Sequence, residues 1–286
     1  MSLRISVVIP VYNRPVLLLR ALNSVARQTH LPCEVLVVDD GSCPKLDHLN
    51  FGSSLPLRFL RNQTNLGVAA ARNLGIREAV GEWIALLDSD DEWEPTKLEK
   101  QSIYLREFPE TRAVHTLEKW IRKGNEVIPP AYLDKQCDQL WERSLRHCLI
   151  CPSSVLLHRS NFESVGYFDE SLTVCEDYDY WLRMLLQFRI GLVHEKLVVK
   201  HGGHPDQLST TVWGMDRFRV KALQKILSDR GLTDDRRLLV LEVLVEKCSI
   251  LAQGSEKREK CKEAKIYSDL ADQYSVQLRR ENTLSI

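Results

Sequence analysis

The amino-acid sequence predicts an α/β protein with a mostly parallel central sheet, flanked by helices and followed by a C-terminal helical appendage. Strand-like and helix-like segments alternate four times in about the first ninety residues, a pattern typical of parallel strands joined by helices. From position 212 onward Leu, Lys, Arg and Glu dominate, Gly is sparse, and apolar residues recur at helical spacing. These two patterns define the predicted sheet and the predicted appendage.

The composition fits one large domain, or one domain with an appendage, of a soluble protein. The chain has 286 residues, of which 44% are hydrophobic and 27% charged, and its formal net charge is zero. Zero net charge argues against a general nucleic-acid or membrane-surface binder. We find no apolar run near the ~20 residues of a membrane span and no signal-peptide cleavage site. We therefore expect a cytoplasmic protein without a transmembrane segment, either free or peripheral at the inner membrane face.

The first half of the chain alternates short apolar runs with helical segments. Pro10 suits a strand exit, and Pro15 suits the first turn of a helix, where its missing N–H group costs nothing. We predict strands over 4–11, 35–38, 57–60 and 83–87, and helices from Pro15, over 65–75 and over 95–108. The helix over 65–75 is rich in small residues, which allow a helix to approach a sheet closely.

The second half of the chain has a looser pattern. We predict a strand pair within 112–128, an irregular segment over 129–140, strands over 153–158 and 190–199, helices over 161–165 and 175–187, and three C-terminal helices over about 212–229, 234–252 and 255–281. The eight cysteines do not form a disulfide framework in a chain of this length. Cys148 and Cys151 have CxxC spacing but lack a second pair nearby, so we expect buried thiols rather than zinc.

Three carboxylates follow the apolar run at 83–87, in the sequence Asp88-Ser89-Asp90-Asp91. Ligands of open α/β sheets gather outside the carboxyl ends of the strands. Carboxylates this close repel one another unless a cation lies among them, and Mg²⁺ or Mn²⁺ completed by phosphate oxygens and water is the usual solution. The alternative interpretation is an acidic turn that leads into the N-terminus of a helix.

Six motifs follow one another along the chain: VVIPVYNR (7–14), VVDDGS (37–42), NLGVAAARNLG (65–75), LDSDD (87–91), CEDYDYWLR (175–183) and His201. In this order they resemble the motifs of the inverting family-2 glycosyltransferases, which have the GT-A fold. The match covers residues ~4–205, and six ordered motifs are far more specific than any single one. The resemblance implies a GT-A domain over 1–210, with a nucleotide-binding half over 1–108 and an acceptor half over 109–210, and a helical appendage over 211–286.

The resemblance also implies a role for each matching residue. Those expected to bind the nucleotide are Pro10, Val11 and Asn13 along the pocket, Asp39 on the base, Arg72 near base and ribose, and Asp88 and Asp90 at ribose and diphosphate. Those expected to bind Mn²⁺ or Mg²⁺ are Asp90, Asp91 and His201, and the catalytic base is Asp177. Which of Asp88, Asp90 and Asp91 hold the metal stays open, and imidazole suits Mn²⁺ less well than carboxylate does.

Each of these residues also has a purely structural interpretation. Asp39 and Asp40 can form a polar turn, and Arg72 can be a solvated helix residue. Glu176 and Asp177 can be helix-capping acids, and Asp179 offers a competing carboxylate. His201 can lie in a loop that binds no metal. The rings of Tyr178, Tyr180 and Trp181 are interpreted mainly as core, with one of them a candidate sugar platform.

The implied activity is transfer of a sugar, with inversion, from a nucleotide-diphosphate donor to a hydroxyl acceptor. By the resemblance the donor is UDP-linked, and the acceptor is a glycan or lipid-linked precursor of a surface polysaccharide or another glycan. A nucleotidyltransferase would normally carry a glycine-rich basic loop after its first strand, and IPVYNRP has no glycine. A scaffold that binds nucleotide sugars without turnover is the other alternative, although all the expected carboxylates are present. The donor sugar, the acceptor and the oligomeric state stay open.

Overall fold

The computed structural model describes residues 3–47, 55–136, 139–203, 212–229 and 231–284. Within these ranges nine strands form one sheet. The strands are β1 (Ile5–Val11), β2 (Glu34–Asp39), β3 (Leu57–Arg61), β4 (Trp83–Leu86), β5 (Glu92–Trp93), β6 (Ala113–Arg122), β7 (Asn125–Val127), β8 (Leu156–His158) and β9 (Gly191–Gly202). Their order is β3-β2-β1-β4-β8-β6-β9-β5, with β7 paired to β6.

The first half of the sheet is parallel, as the alternation of strands and helices predicts. Strand β1 pairs in parallel with both β2 and β4, and β2 pairs in parallel with β3. The second half is mixed, because β8 runs antiparallel to β4 and β6, β5 runs antiparallel to β9, and β6 and β9 are parallel. The carboxyl ends of β1, β2 and β4 therefore meet at one edge of the sheet.

Helices cover both faces of this sheet. They are α1 (Pro15–Ala26), α2 (Val68–Glu78), α3 (Lys97–Glu107), α4 (Leu140–Ser144), α5 (Ser160–Ser164), α6 (Glu176–Gln187), α7 (Asp216–Leu227), α8 (Asp234–Glu256) and α9 (Cys261–Leu284). Alternate residues of β1 enter different cores: Val7 and Ile9 pack with α1 and α3, whereas Val8 packs with α2 and α6. This alternation is that of a strand buried on both faces.

Gly75 allows α2 to lie close to the sheet. A Cβ atom added at this position would lie 2.4 Å from Val8 Cγ1 and 3.0 Å from Val38 Cγ2. Both valines are fully buried in the core beneath the helix, so neither has room to move away. Gly75 is therefore one of the small residues that were predicted to allow this helix close to the sheet, and the packing requires it.

We expect Gly75→Ala to lower the free energy of unfolding by about 1–3 kcal/mol, because it overpacks this core. The matched control is Gly254→Ala on α8, where the new Cβ would meet only the end of the Arg258 side chain, 3.2 Å away. The control should raise the free energy of unfolding by up to about 1 kcal/mol, since Ala favours helix. Urea denaturation of both variants is the test, and equal changes would contradict the packing described here.

The three C-terminal helices are confirmed, with altered bounds. α7, α8 and α9 share one hydrophobic core with α6. The break predicted near 252–255 lies instead at 257–260, because α8 continues through Gly254 and ends before Glu259, which has a positive φ of 59°. The predicted boundary at 210/211 lies outside the described residues, so the division into a domain and an appendage stays a prediction. None of the described helices has the length and apolar character that crossing a bilayer requires.

Other differences from the sequence prediction lie in the second half of the sheet. The strand predicted over 153–158 is shorter, because Pro152–Ser154 forms a single 3₁₀ turn before β8. The strand pair predicted within 112–128 is confirmed as the hairpin of β6 and β7. The two-residue strand β5 was not predicted. The CxxC thiols are free, with Cys148 half-buried and Cys151 buried.

Candidate active site

The ends of β1 and β2 carry two of the motifs side by side. Val11 and Asp39 are partners in the parallel register, and the Asp40 N–H donates to the Val11 carbonyl oxygen at 2.8 Å. Because Pro10 and Val11 are buried within β1, they could line a pocket only through backbone groups at the strand end. Asn13 follows in the left-handed region, with a φ of 53°, which asparagine tolerates better than most residues.

Asn13 connects the two loops that leave these strands. Its backbone N–H donates to Ser42 Oγ at 2.8 Å, and its side-chain oxygen Oδ1 accepts from the Cys43 N–H at 2.9 Å. Both bonds hold the exit of β1 against the exit of β2. The predicted nucleotide loop is therefore fixed in place by the residue that was expected to line it.

Asp39 is buried and carries an ion pair that sequence reasoning missed. Its Oδ1 accepts from the Ser42 N–H at 2.9 Å, and its Oδ2 pairs with the guanidinium of Arg61 at the end of β3. Arg61 also donates to the Ser42 carbonyl oxygen at 2.9 Å. Asp39 and Arg61 are register partners of adjacent strands, so the signal available in the sequence was a basic residue at the end of the third strand.

Asp40 has a structural role. It is buried, and its Oδ1 accepts from Asn62 Nδ2 at 2.7 Å and from the Leu66 N–H at 3.1 Å. Its Oδ2 accepts from the Gly67 N–H at 2.8 Å. The carboxylate thereby fixes the loop that precedes α2, which agrees with the polar-turn interpretation for this residue.

Arginines surround the acids after β4. Asp90 Oδ2 lies 3.2 Å from Arg14 Nη1, and the Asp90 carbonyl oxygen accepts from Arg20 Nη2 at 2.5 Å. Asp88 Oδ1 accepts from Arg72 Nη2 at 2.6 Å. The side chains of Asp88 and Asp90 remain 26% and 18% exposed, so solvent or a ligand can reach them.

Asp91 lies behind these two residues in the protein interior. Its Oδ2 accepts from Ser153 Oγ at 2.6 Å, and its Oδ1 accepts from the His201 N–H at 3.2 Å. Burial, together with the nearby charges of Asp90 and Asp88, raises the pKa of the Asp91 carboxyl well above its usual value. The three acids therefore differ, with two open to ligands and one held inside by hydrogen bonds.

Arg72 is buried and links two motifs that lie far apart in the chain. Its Nη1 donates to Glu176 Oε1 at 2.5 Å, while its Nη2 donates to Asp88. Although burial opposes it, the charges of Asp88 and Glu176 raise the pKa of the guanidinium above its usual value. Arg72 is thus not a solvated helix residue, and its predicted contact with the nucleotide base stays a prediction.

Burial raises the pKa of the Glu176 carboxyl to about 7, against the lowering effect of Arg72. The charge of the adjacent Asp177 raises the same pKa further. A folded-state pKa above the usual 4.5 means that the folded protein holds this proton more tightly than the unfolded chain. The associated stability is complete below pH 4.5 and is lost as the pH rises through about 7.

We therefore expect the free energy of unfolding of the wild type to fall, relative to Glu176→Gln, as the pH rises from about 4.5 to about 7. The amide does not titrate, so the difference between the two proteins isolates this carboxyl. Urea denaturation at pH 5, 6, 7 and 8 measures it, with Glu82→Gln, at a side chain 62% exposed, as control. A difference that stays constant with pH would contradict the assignment.

Asp177 lies in the first turn of α6, after Cys175, whose backbone is left-handed with a φ of 63°. Its Oδ1 accepts from the Tyr178 N–H at 2.7 Å, and its Oδ2 accepts from the Cys148 thiol at 3.4 Å. Burial and the charge of Asp177 raise the pKa of that thiol well above its usual value. Asp177 is half-buried, and its side chain lies at the edge of a cavity.

The neighbouring side chains of α6 belong to the core. Asp179 is fully buried, with its Oδ2 2.8 Å from Arg183 Nη2 and its Oδ1 2.7 Å from Lys225 Nζ. The rings of Tyr178, Tyr180 and Trp181 are also buried. Asp179 therefore does not compete with Asp177 at the cavity, and the three rings follow the core interpretation.

His201 lies near Asp91, but its imidazole ring contacts a different acid, Glu92. Nε2 lies 2.8 Å from Glu92 Oε1, and the contact with Asp91 comes from the backbone N–H. Across the part of the chain that the structure describes, no group of three or more His, Cys, Asp and Glu side chains is arranged to hold a metal ion. The predicted ligands Asp90, Asp91 and His201 are thus neighbours whose side chains do not converge.

A cavity of about 110 Å³ lies beside Asp177. Its lining includes Glu118, Trp120, Lys135, Cys148, Cys151 and Lys200. The thiol of Cys151 lies 3.9 Å from Asp91 Oδ2, so part of the cavity lining adjoins one of the acids after β4. Sequence reasoning missed Lys200 and Trp120, and the available signal was a charged residue immediately before His201 at the end of a strand.

Residues 6–159, more than half of the chain, match the model of the family described as glycosyl transferase family 2. The chain belongs to this family. An uncharacterised glycosyltransferase of Rickettsia conorii is 32% identical over 195 residues, which are 68% of this chain and 32% of the relative. This chain thus spans about a third of the length of that relative, and about a third of the length of an uncharacterised glycosyltransferase from Rickettsia felis.

Two further relatives of the family are similar over more of their length. YwdF of Bacillus subtilis, an uncharacterised glycosyltransferase, is 29% identical over 67% of this chain and 71% of its own. WcaA of Escherichia coli, whose name assigns it to colanic acid biosynthesis, is 29% identical over 72% of this chain and 75% of its own.

Solved structures of TarS from S. aureus share the fold. The complex of its residues 1–349 with UDP superposes with a TM-score of 0.68 at 20% identity, covering 88% of this chain and 74% of that one. The complex with UDP-GlcNAc gives a TM-score of 0.67 at 16% identity, covering 94% and 92%. The predicted GT-A architecture is confirmed by these likenesses.

Proposed function

We propose that the protein is an inverting glycosyltransferase that moves a sugar from a UDP-linked donor to a hydroxyl group of a glycan acceptor. The observation that carries this proposal is a single cavity whose lining includes both Asp177 and Cys151, the neighbour of Asp91 after β4. Inverting transfer needs a base on one side of the sugar and charge stabilisation for the leaving diphosphate on the other. Family membership and the UDP complexes of a protein with the same fold support it.

In the proposed reaction, residues 1–108 bind the nucleotide and residues 109–210 bind the acceptor. The uracil lies near Asp39, and the diphosphate lies near Asp88 and Asp90, with the guanidinium of Arg14 beside them. Asp177 accepts the proton of the acceptor hydroxyl as its oxygen attacks the anomeric carbon from the side opposite the diphosphate. Attack from that side inverts the anomeric centre.

The chemistry of the acids after β4 fits a divalent cation. Asp88 and Asp90 are partly exposed, and one or two carboxylates with phosphate oxygens and water satisfy Mg²⁺ or Mn²⁺. Such an ion would supply positive charge to the leaving diphosphate. We propose Asp90 as its main ligand with Asp88 beside it. A role for Asp91 or His201 requires that their side chains leave Ser153 and Glu92.

The nature of the acceptor is proposed from the relatives. The name of WcaA, which refers to colanic acid biosynthesis, supports an acceptor that is a surface polysaccharide or its lipid-linked precursor. With a lipid-linked acceptor, the protein would associate with the inner face of the membrane during catalysis.

The test is calorimetric titration with UDP, with and without Mn²⁺, followed by a screen of UDP-sugars for UDP release. We expect UDP to bind more tightly with Mn²⁺, and Asp90→Asn to lose this gain, because it removes a hard anionic ligand. Asp235→Asn on the exposed surface of α8 is the control. Binding of UDP without any turnover would favour the scaffold, and failure to bind UDP would contradict the proposal.

A further inference from the structure

Lys200 brings a positive charge to the cavity beside Asp177. It lies near the end of β9, and its ammonium lies 5.2 Å from the centroid of the Trp120 ring. With the residues that the structure describes, this ammonium forms no hydrogen bond and no ion pair within 4.0 Å. The indole face attracts a cation but does not neutralise its charge.

Each acid near this ammonium has a closer partner. Glu118 is paired with Lys135 in the cavity wall. Asp91 accepts hydrogen bonds from Ser153 Oγ and the His201 N–H, at 2.6 and 3.2 Å. Asp177 accepts from Cys148 and from the backbone of its own helix. Lys200 is therefore the cation of this cavity that lacks a direct anionic partner among the described residues.

Lys200 is half-buried, and the charges of Asp91 and Glu118 act on its ammonium only from a distance, so a bound anion can supply the direct ion pair that the described residues do not form. The remaining lining includes the apolar side chains of Leu133 and Ile150 and the ring of Trp120. Apolar walls with a few fixed charges suit a carbohydrate, which presents C–H surfaces and, when it is acidic, one anionic group. Lysine binds such a group as a compact point charge.

We propose that Lys200 binds an anionic group, a carboxylate or a phosphate ester, on the carbohydrate that occupies the cavity beside Asp177. This inference rests on the proposed function and specifies its substrate class as an acidic sugar. The anionic group belongs either to the acceptor or to the sugar of the donor, and the two sources are separable with matched pairs of probes.

The experiment compares an anionic and a neutral probe in each of two arms by calorimetric titration. The acceptor arm uses glucuronate and glucose 6-phosphate against glucose, with UDP and Mn²⁺ present. The donor arm uses UDP-glucuronate against UDP-glucose. In the wild type we expect the anionic probe of one arm to bind at least about tenfold more tightly than the neutral probe. This ratio is the gain in affinity expected from one hydrogen bond to a charged group. The arm that shows the preference identifies the source.

We expect Lys200→Met to reduce this ratio of affinities to about one and Lys200→Arg to retain most of it, because Arg keeps the charge. The control is Lys196→Met on the same strand, at a side chain 59% exposed, which should keep the wild-type ratio. A ratio that persists in Lys200→Met, or the lack of any preference in both arms, overturns the inference. Thermal melts establish that each variant is folded.

The proposed function is tested separately in the same titrations. If UDP does not bind the wild type, the proposed function itself fails. If UDP binds and the ratio does not depend on Lys200, only the assignment of Lys200 fails.

Discussion

Asp177→Asn should abolish most sugar transfer while leaving the donor bound. We expect the rate of transfer to fall by about 10²–10⁴-fold, the usual contribution of a general base, because the amide cannot accept the proton of the acceptor hydroxyl. The affinity for UDP should change little, because Asp177 lies at the cavity rather than among the acids after β4. The measurement is the initial rate of transfer with the UDP-sugar and acceptor found by screening.

The control for this experiment is Asp235→Asn, at an exposed side chain of α8. A circular dichroism spectrum identical to that of the wild type excludes a change of fold in either variant. Transfer by Asp177→Asn at the wild-type rate would remove this residue from the mechanism.

Arg72→Met should have the largest effect on stability of any substitution at the site. Arg72 and Glu176 are both buried, and their charged groups are joined at 2.5 Å. Above about pH 7, where Glu176 carries its charge, removing one partner of this buried pair leaves the other uncompensated, which lowers the free energy of unfolding by about 3–5 kcal/mol. Affinity for UDP should also fall, because Asp88 loses the guanidinium that orients it. Urea denaturation and calorimetry measure the two effects.

The matched control is Arg77→Met on the same helix, at a side chain 52% exposed and 3.5 Å from Glu170, which should change stability by less than about 1 kcal/mol. The double variant Arg72→Met with Glu176→Gln should recover part of the lost stability, since it no longer buries a lone carboxylate. Equal losses for the two arginines would contradict the role of this buried pair.

The fold of residues 1–108 was accessible to sequence reasoning because its signals are local. Short apolar runs gave β1, β2 and β4, and the polar residues that end them gave the edge where the site lies. Parallel strands place these ends together without further information. The two-residue strand β5 could not be predicted, because so short a strand depends on its partner β9.

The electrostatic organisation of the site was not accessible in the same way. Arg72 and Glu176 are 104 residues apart, and only the folded chain places them in contact. The pair of Asp39 with Arg61 depends on strand register, which the basic residue at the end of the third strand does not fix by itself. Lys200 resembles an ordinary surface charge in the sequence and enters a cavity only because β9 lies beside β6.

A crystal structure of the complex with UDP and Mn²⁺ tests the central claim most directly, that the carboxyl ends of β1, β2 and β4 form the donor site. The predicted result is uracil near Asp39, diphosphate and metal at Asp88 and Asp90, and the cavity between the diphosphate and Asp177. UDP bound elsewhere, with Asp88 and Asp90 facing solvent, would contradict the claim.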